Sequence, residues 1–567
     1  MKLERIVIKN FRSIASDDTD LESYTFFIGR NNIGKSNYLK AVDILLSQDK
    51  TFKNFAELAL NKNQVIEITG YFRGCEPYLT KLKESKHQVA VNAVVKEGLL
   101  ALHVVIGVDG KAERSLLNQD TNELVNPTGL STNLFKLFPE TIFVRATADT
   151  SDELGEKQST ALSKIKKEVL DSFFQIVGAK VKERMKDIDS YLHGENTIRA
   201  AELRDFEKDF DAEMMGEFET CKSRVEFDLP DQETVKGGMR ILLKDAHHSS
   251  EIADKGHGLQ RTAFFAMVRM LAQRVVSSAA KPPPIFLIEE LEAFLHPSAQ
   301  VRLVGAIKSL TKNYQVIVTT HSPFVVTPEV ITGLRMVRRN LQGSQAYGPT
   351  KKENEIKSAE YKTVRNGLAY SGQMAAIFSD RIVVVEGKND DGFFPKVSSL
   401  LGYGSKGIMV TYAKASGGGA TNVRQSKRFF ELLGAKGVSV ILDYDCLFAS
   451  QFKEILKDLN LNPSIVDELR SSISWSDGKN PSLGQVLTLK TEASHAKALP
   501  IIIKLASLRV YILQKGGPEN YFSEQFKTSN SNVCQDSKRL WEHCDSMDDL
   551  ADLDELNAIF STLHSDT

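Results

Sequence analysis

Residues 29–36 carry the spacing G-x-x-x-x-G-K-S, which is typical of a phosphate-binding loop. In such a loop, backbone N–H groups converge on phosphate oxygens, and the N-terminus of the following helix adds positive potential. Lys35 would reach the β- and γ-phosphates, and the Ser36 hydroxyl would bind Mg²⁺. An ordinary strand-to-helix turn is the alternative. We predict a nucleotide site whose contacts are Gly29, Asn32, Gly34, Lys35 and Ser36.

Two adjacent carboxylates follow the apolar run IFLI. In a Walker B element, a carboxylate at the end of a buried strand holds the Mg²⁺ shell, and a second one polarises the attacking water. We assign the metal role to Glu289, which stands where Asp is usual, and the catalytic role to Glu290. The alternative is a strand that ends in a solvated acidic turn.

Two further elements would complete such a site. The run QVIVTT leads to His321, which could hydrogen-bond the γ-phosphate and respond to its loss; a purely structural histidine is the alternative. Upstream, a Gly-rich turn opens an apolar helix. In that turn Gly256, Gly258 and Gln260 are placed where backbone N–H groups could bind a phosphate.

A second group of carboxylates lies in the C-terminal part of the chain. The apolar run IVVV delivers Glu386, and VSVIL delivers Asp443 and Asp445. Parallel sheets place their ligands at the carboxyl ends of strands. Three acidic side chains converging there would repel one another without cations, so we predict a divalent-metal site with Asp390 as a further ligand. An acid-lined but inert α/β domain is the alternative.

The elements that must position these residues follow from hydrophobic spacing. Apolar residues at helical spacing predict a helix over 36–47. The charged stretch from about 155 to 225 shows the same spacing, and predicts either an amphipathic helix on its own domain or a projecting insert that dimerises. Strands are predicted in the first 150 residues for the runs RIVIKNF, YTFFIG, QVIEITGYF, HQVAVNAVV, LLALHVVIGV and TIFVRA.

Composition limits the class of protein. The 567 residues suffice for about two to four domains, and 42% hydrophobic with 26% charged residues is ordinary for a globular protein. No apolar stretch reaches the roughly 18 residues of a membrane span, and the amino terminus does not resemble a signal peptide. The five scattered cysteines form no C-x-x-C pair, which predicts a reducing, cytoplasmic location. A net charge of −1 argues against a basic carpet but leaves room for a local basic groove.

The order of phosphate-binding loop, Gly-rich signature, Walker B pair and histidine resembles the ABC-type ATPases of the SMC and RecF kind. The opening RIVIKNFRSI is similar to theirs as well. This resemblance implies that two heads sandwich two ATP molecules, with the signature of one head closing the site of the other. The pattern of Glu386, Asp443 and Asp445 resembles the Toprim domain of topoisomerases, primases and certain nucleases. The expected fold class is therefore α/β, with an ABC/SMC-RecF-type ATPase head that carries a helical insert, followed by a parallel-sheet Toprim nuclease domain.

An ABC-type ATPase followed by a Toprim domain resembles the OLD (overcoming lysogenisation defect) family of nucleases, over nearly the whole chain. The resemblance implies five segments. They are an ATPase N-terminal lobe (1–155), a helical insert that would dimerise (156–235), an ATPase C-terminal lobe (236–346), a linker (347–375) and a Toprim nuclease domain (376–567).

The same resemblance implies roles for the C-terminal residues. Glu386 would act as the acid or base of phosphodiester hydrolysis, and Asp443 and Asp445 would bind metal. Glu519 would serve a second metal; Gly517 stands before it where family members often carry Ser. The family also uses a downstream lysine, for which Lys527 and Lys538 are the candidates.

The function implied is an ATP-regulated DNA endonuclease that uses Mg²⁺ or Mn²⁺ and works as a homodimer or higher homo-oligomer. The family serves antiphage defence, alone or with a partner such as a retron reverse transcriptase or a Gabija-type helicase. The rival is a RecF/SMC-like DNA-binding ATPase sensor with a non-cleaving Toprim domain; topoisomerase, primase and transporter functions fit the motifs less well. Cations near the acidic residues could neutralise DNA phosphates, or could form a solvated helix face: Lys388, Lys414, Arg424, Lys427 and Arg428.

Overall fold

The computed structural model describes the chain in segments. They are residues 1–79, 85–127, 134–145, 183–191, 282–293, 297–326, 328–348, 376–379, 381–387, 390–403, 410–414, 420–475, 479–530, 540–551 and 553–565, with short pieces at 200–201, 204–205, 208, 242–244, 249–251 and 295. Most of the predicted helical insert and linker lies outside the described residues. So do five of the residues singled out above: Gly256, Gly258, Gln260, Lys388 and Lys538.

The described part of residues 1–348 is built on one large sheet, whose strands come from both predicted ATPase lobes. The strands are β1 (Lys2–Phe11), β2 (Ile14–Asp20), β3 (Tyr24–Ile28), β4 (Ile66–Arg73), β5 (Leu99–Ile106), β6 (Ala112–Leu117), β7 (Leu124–Val125), β8 (Thr141–Val144), β9 (Leu242–Lys244), β10 (Ser249–Glu251), β11 (Ile285–Ile288), β12 (Gln315–Thr320), β13 (Leu334–Asn340) and β14 (Gly343–Tyr347). Their order in the large sheet is β7-β6-β5-β4-β1-β2-β14-β13-β3-β12-β11-β8. Strands β9 and β10 form a separate hairpin.

The half of this sheet that carries the predicted nucleotide site is parallel. Strand β3 pairs in parallel with β12 and β13, and β11 pairs in parallel with β12 and β8. Helix α1 (Lys35–Leu46) follows β3, as the spacing predicts. Its Tyr38 stacks on Phe27 with ring centroids 4.5 Å apart. The phosphate-binding loop therefore joins a buried strand to a helix that packs on the same sheet.

One predicted strand is wrong. The run HQVAVNAVV contributes to helix α4 (Ser85–Asn92) instead. Val91 and Val94 are buried at helical spacing, while Val89 is 69% exposed, so the apolar positions do not alternate as a strand requires. Further helices among the described residues of this part are α2 (Phe55–Leu58), α3 (Glu76–Leu79) and α5 (Pro297–Leu310), and residues 183–191 are helical as well.

The C-terminal part has a smaller sheet, formed by β15 (Arg381–Val385), β16 (Val410–Lys414), β17 (Ser439–Leu442) and β18 (Val510–Ile512). Their order is β16-β15-β17-β18, and every pair is parallel. The helices described in this part are α6 (Asp390–Leu400), α7 (Ala420–Leu432), α8 (Phe452–Asp458), α9 (Ile465–Ser472), α10 (Leu483–Leu489), α11 (Glu492–Ser507), α12 (Glu524–Ser529) and α13 (Leu553–His564).

The two sheets share one apolar core. Phe26 and Phe286 of the large sheet belong to the same buried cluster as Ile382 and Val440 of the small one. A polar contact adds to it, because Arg338 of β13 donates to the carbonyl oxygen of Leu433 at 3.0 Å. The strand next to β3 is therefore in direct contact with the C-terminal domain. None of the helices in the described segments is long and apolar enough to cross a membrane.

Candidate nucleotide site and nuclease centre

The phosphate-binding loop has the backbone that its glycines predict. Gly29 has φ 148° and Gly34 has φ 103°, both in the region that favours glycine. A Cβ at Gly29 would lie 2.7 Å from the carbonyl oxygen of Val337 on β13, so only glycine fits. Asn32 also adopts a left-handed conformation, with φ 59°. Ser344 donates to the carbonyl oxygen of Ile33 at 2.6 Å and fastens the loop to β14.

Lys35 is held against the loop that precedes it. Its Nζ donates to the carbonyl oxygens of Gly29 at 2.9 Å and Arg30 at 2.6 Å, and the side chain is buried. Burial lowers the pKa of Lys35, and the carboxylates of Glu292 and Glu290 oppose this shift. The lysine is thus placed at the loop, where phosphate oxygens would compete for its N–H groups.

The two predicted Walker B carboxylates act on different lysine side chains. Glu289 continues β11, since its N–H donates to Val144 at 2.8 Å. Burial lowers the pKa of Lys40 and the charge of Glu289 opposes this shift, so this carboxylate lies near Lys40 of α1. Glu290 has φ 43°, its N–H donates to Thr319 Oγ1 at 3.0 Å, and its charge acts on Lys35, the first residue of the same helix. Both carboxylates therefore lie near α1, whose N-terminus follows the phosphate-binding loop.

His321 follows β12 as predicted, and its partner is a residue that the sequence analysis missed. Glu292 Oε1 accepts the backbone N–H of His321 at 2.6 Å and lies 2.8 Å from His321 Nδ1. Glu292 is buried, whereas 42% of the His321 side chain is exposed. A third glutamate two residues beyond the Walker B pair carries no signal of its own, because its burial depends on the turn that folds it back.

The predicted nuclease residues meet at one edge of the small sheet. Glu386 follows β15 and Asp443 follows the adjacent parallel strand β17. The Asp443 N–H donates to Glu386 Oε1 at 3.2 Å, which joins the two strand ends directly. Asp445 lies in the first turn of the 3-10 helix Tyr444–Phe448. The next strand, β18, leads into the turn that carries Glu519.

These carboxyls raise one another's pKa. Burial first, then the charges of Asp445 and Asp390, raise the pKa of Glu386 to about 7. Burial, followed by four acidic neighbours, raises the pKa of Asp443 to about 9. The pKa of Asp445 is raised by burial and then by Glu519. Among the described residues, every charged group that shifts these three carboxyls is itself acidic, so a cation would relieve the whole group.

The donor set fits a hard divalent cation in kind, because all its side-chain donors are carboxylate oxygens. The carboxylates are not yet close enough to share one ion. In the described segments, no group of three His, Cys, Asp or Glu side chains has the spacing of a metal site. Glu386 and Asp390 accept backbone N–H groups, the latter from Gly387 at 2.8 Å. Each of these contacts uses one carboxylate oxygen, and a carboxylate can accept a backbone N–H while it ligates a cation.

The turn of Glu519 has its own supports. A Cβ at Gly517 would lie 2.9 Å from Glu519 Oε2, so the glycine leaves room for this carboxylate. Tyr521 donates to Glu555 of α13 at 2.6 Å, and Glu555 also accepts the N–H of Gln514 at 2.9 Å. Helix α13 thereby fixes both ends of the turn.

Two of the cations considered for DNA neutralisation pair with acidic residues of the same domain. Arg424 donates to both carboxylate oxygens of Asp458, at 2.5 and 2.8 Å, and Lys427 donates to Glu431 at 2.6 Å. These pairs favour the solvated helix face that the sequence left open. Lys527 pairs with Glu524 within its own helix at 3.0 Å. Among the described residues, no hydrogen bond or ion pair joins Lys527 to the carboxyl side chains at the strand ends.

Comparison with known proteins identifies a family for the N-terminal part of the chain. The model of the family described as AAA ATPase domain matches residues 1–97 and 106–326, more than half of the chain. The chain belongs to this family. The matched residues include the phosphate-binding loop, the carboxylates Glu289 and Glu290, and His321.

Relatives extend the similarity into the C-terminal part. The Old nuclease of Escherichia phage P2 is 23% identical over 492 residues, covering 83% of this chain and 83% of that protein. The OLD nuclease of Thermus scotoductus is 22% identical, covering 68% and 72% respectively. Endonuclease GajA of Bacillus cereus is 22% identical, covering 70% and 68%. Among solved structures, an Smc head bound to the C-winged helix domain of ScpA aligns with 63% of this chain and 100% of its own, at 16% identity and a TM-score of 0.39.

The OLD-family resemblance is thus confirmed, together with the expectation of an enzyme in which an ATPase is linked to a nuclease. The α/β fold class is confirmed as well, since a large ATPase sheet is followed by a separate parallel sheet.

Proposed function

We propose that this chain is an ATP-regulated, divalent-metal-dependent DNA endonuclease. Its cutting centre is the cluster of carboxyl side chains at the ends of β15, β17 and β18. The observation that carries the proposal is the meeting of Glu386 and Asp443 at adjacent parallel strand ends, with raised pKa values. Carboxyls whose pKa is displaced by burial and like charges are typical of functional sites.

Each carboxyl has a role in this proposal. Asp443, Asp445, Asp390 and Glu519 would hold Mg²⁺ or Mn²⁺, which when bound supplies an activated water and stabilises the leaving oxygen. Glu386 has a pKa of about 7, so near neutral pH it can accept a proton or release one. Its contact with the Asp443 N–H fixes that carboxyl relative to the metal-binding aspartate.

The route by which ATP would regulate cutting runs through β13. Gly29 of the phosphate-binding loop lies against Val337, and the next residue, Arg338, donates to Leu433 of the C-terminal domain. A cleft of about 590 Å³ adjoins this contact and is lined by residues of both domains, including Arg30 and Lys436. A shift of the loop would therefore be transmitted to the nuclease domain through two consecutive residues of β13, Val337 and Arg338.

The biological role proposed is antiphage defence. Support comes from homology to phage P2 Old nuclease and endonuclease GajA, over most of this chain and of theirs. DNA would be the substrate. The active form would be a homodimer or higher oligomer in which the signature turn of Gly256, Gly258 and Gln260 closes the partner's ATP site, acting alone or with a defence-system partner.

The test is cleavage of supercoiled and linear DNA with Mg²⁺, Mn²⁺ or a chelator, each with and without ATP. Wild type should cut only with metal, and Asp443→Asn should abolish cutting. Asp467→Asn is the matched control, since Asp467 is an exposed aspartate of the same domain that pairs with Lys453. Metal-bound wild type that binds DNA and ATP without cutting would favour the rival, a DNA-binding ATPase sensor.

A further inference from the structure

Glu292 is a buried carboxylate with an unusual pair of contacts. One oxygen, Oε1, accepts the backbone N–H of His321 at 2.6 Å and lies 2.8 Å from the Nδ1 atom of the same residue. Because a carboxylate can only accept hydrogen bonds, this distance favours the form of His321 with the proton on Nδ1. Glu292 thus holds the backbone of His321 and lies beside the Nδ1 edge of its ring, so Nε2 is the ring nitrogen available to another partner.

The second oxygen of Glu292 has no such support. Oε2 is buried, and no hydrogen bond from the described residues reaches it. A buried carboxylate oxygen without a donor costs free energy, and a neutral side chain would cost the fold less. Glu292 also acts on Lys35: of the charged groups near this lysine, Glu292 raises its pKa the most, against the effect of burial. The carboxylate is thus set between the lysine of the phosphate-binding loop and His321.

We propose that Glu292 is a positioning residue of the ATP site, which holds His321 so that its Nε2 atom meets the γ-phosphate. ATP and ADP differ only by that phosphate. Lys35 reaches phosphates in both nucleotides, whereas a ring held by Glu292 contacts only ATP. Glu292 therefore sets the preference of the site for ATP over ADP through His321, because its charge on Lys35 bears on both nucleotides alike.

The proposal rests on the ATPase half of the proposed function and is independent of DNA cleavage. The experiment uses the full-length protein and measures both the affinities for ATP and ADP and the rate of phosphate release. The variants are Glu292→Gln, His321→Ala and the double variant. Glu113→Gln replaces an exposed glutamate of the same domain and serves as the control.

Glu292→Gln should lower the hydrolysis rate by about 10-fold or more, as expected when the carboxylate that orients a working histidine is neutralised. The ATP-over-ADP affinity ratio should fall with it, while ADP affinity stays within about twofold. His321→Ala should have the same effect. The double variant should lose no more than His321→Ala alone, because residues that act through one contact are not additive.

Additive losses in the double variant, or equal losses of ATP and ADP affinity in Glu292→Gln, would overturn the proposal. If Glu292→Gln melts well below wild type, Glu292→Asp decides: it keeps the charge but shortens the reach, and it should still lower the ATP-over-ADP ratio. An unchanged ratio in that variant would also overturn the proposal. Failure of wild type to bind ATP would reject this inference and the proposed ATP regulation together, whereas failure only to cut DNA would reject the nuclease alone.

Discussion

The nucleotide site and the nuclease centre are built in opposite ways. The nucleotide site brings opposite charges together: Lys35 lies among Glu290 and Glu292, and His321 sits against Glu292. Its loop is fixed by backbone geometry and by the neighbouring strands. The nuclease centre gathers carboxyls alone, each raising the pKa of another.

This contrast has a thermodynamic consequence. A site with compensated charges can exist in its working geometry before the ligand arrives. A group of like charges is held together only by the rest of the fold, and it gains most when a cation is added. We therefore expect the nucleotide site to depend on backbone shape and single contacts. The nuclease centre should depend on metal and pH.

The largest expected effect is on cutting. Glu386→Gln removes a carboxyl that can transfer a proton near neutral pH, and cleavage should fall by about 10²–10⁴-fold. ATP turnover should stay near the wild-type value, because the two sites lie on different sheets. Initial rates of plasmid cleavage and phosphate release measure both. The exposed Glu468→Gln is the control, and retained cleavage in Glu386→Gln would remove Glu386 from the centre.

A smaller effect is expected at the other site. Lys35→Ala deletes the buried ammonium whose contacts now go to Gly29 and Arg30. A charged hydrogen bond is worth about 1.5–3 kcal/mol, so ATP affinity should fall by about 10- to 100-fold. Stabilisation of the protein by Mg²⁺ at the nuclease centre should persist without ATP. Titration with a fluorescent ATP analogue checks the affinity against Lys308→Ala, an exposed lysine of α5. Unchanged affinity would contradict the assignment of the loop.

The link between the two sites should show a smaller effect still. Arg338→Met keeps the apolar stem but loses the donation to Leu433 and the weaker one to Ser379 at 3.4 Å. The ratio of cleavage rates with and without ATP should change by about fivefold, which is the low end of ordinary coupling between sites. Arg339→Met, on the next and exposed residue, should leave the ratio as in wild type. Equal effects from the two variants would exclude β13 as the route.

Both sites follow closely from the sequence where the signal is local. The loop of Gly29 and Gly34 lies between strand and helix as predicted, and the two runs that end at Glu386 and Asp443 are adjacent parallel strands. Such positions are recognisable because a buried apolar run and the polar residue at its end are neighbours in the chain. The spacing alone places the side chain at the edge of the sheet.

The contacts that the sequence did not reveal join distant segments. The burial of Glu292 depends on the turn after β11 meeting the end of β12, and the contact of Arg338 depends on Leu433, which follows α7 in the other domain. Strand β2 was not predicted, because IASDDTD is polar and is held by pairing with β1 on one side and β14 on the other. In each of these cases the partner, rather than the residue type, determines the structure.

The pH dependence of stability separates the two sites with the smallest expected effect. Folded Glu386 and Asp443, with pKa values of about 7 and 9, hold protons more tightly than the unfolded chain does. Their contribution to the free energy of unfolding is therefore complete below pH about 4 and is lost as pH rises through 7 and 9. In chelator, the melting temperature should fall by a few degrees between pH 6 and pH 9. Asp443→Asn should flatten this fall, whereas Asp467→Asn should not.

Added ligands should act on that profile differently. Mg²⁺ should raise the melting temperature more at pH 9 than at pH 6, because carboxyls must lose their protons to bind it. A non-hydrolysable ATP analogue without metal should raise it by similar amounts at both values, since the charges of its site are already compensated. If the melting temperature of Asp443→Asn falls as much as that of wild type between pH 6 and pH 9, repulsion among the carboxyls is not what the metal relieves. The contrast between the two sites would then be wrong for the nuclease centre.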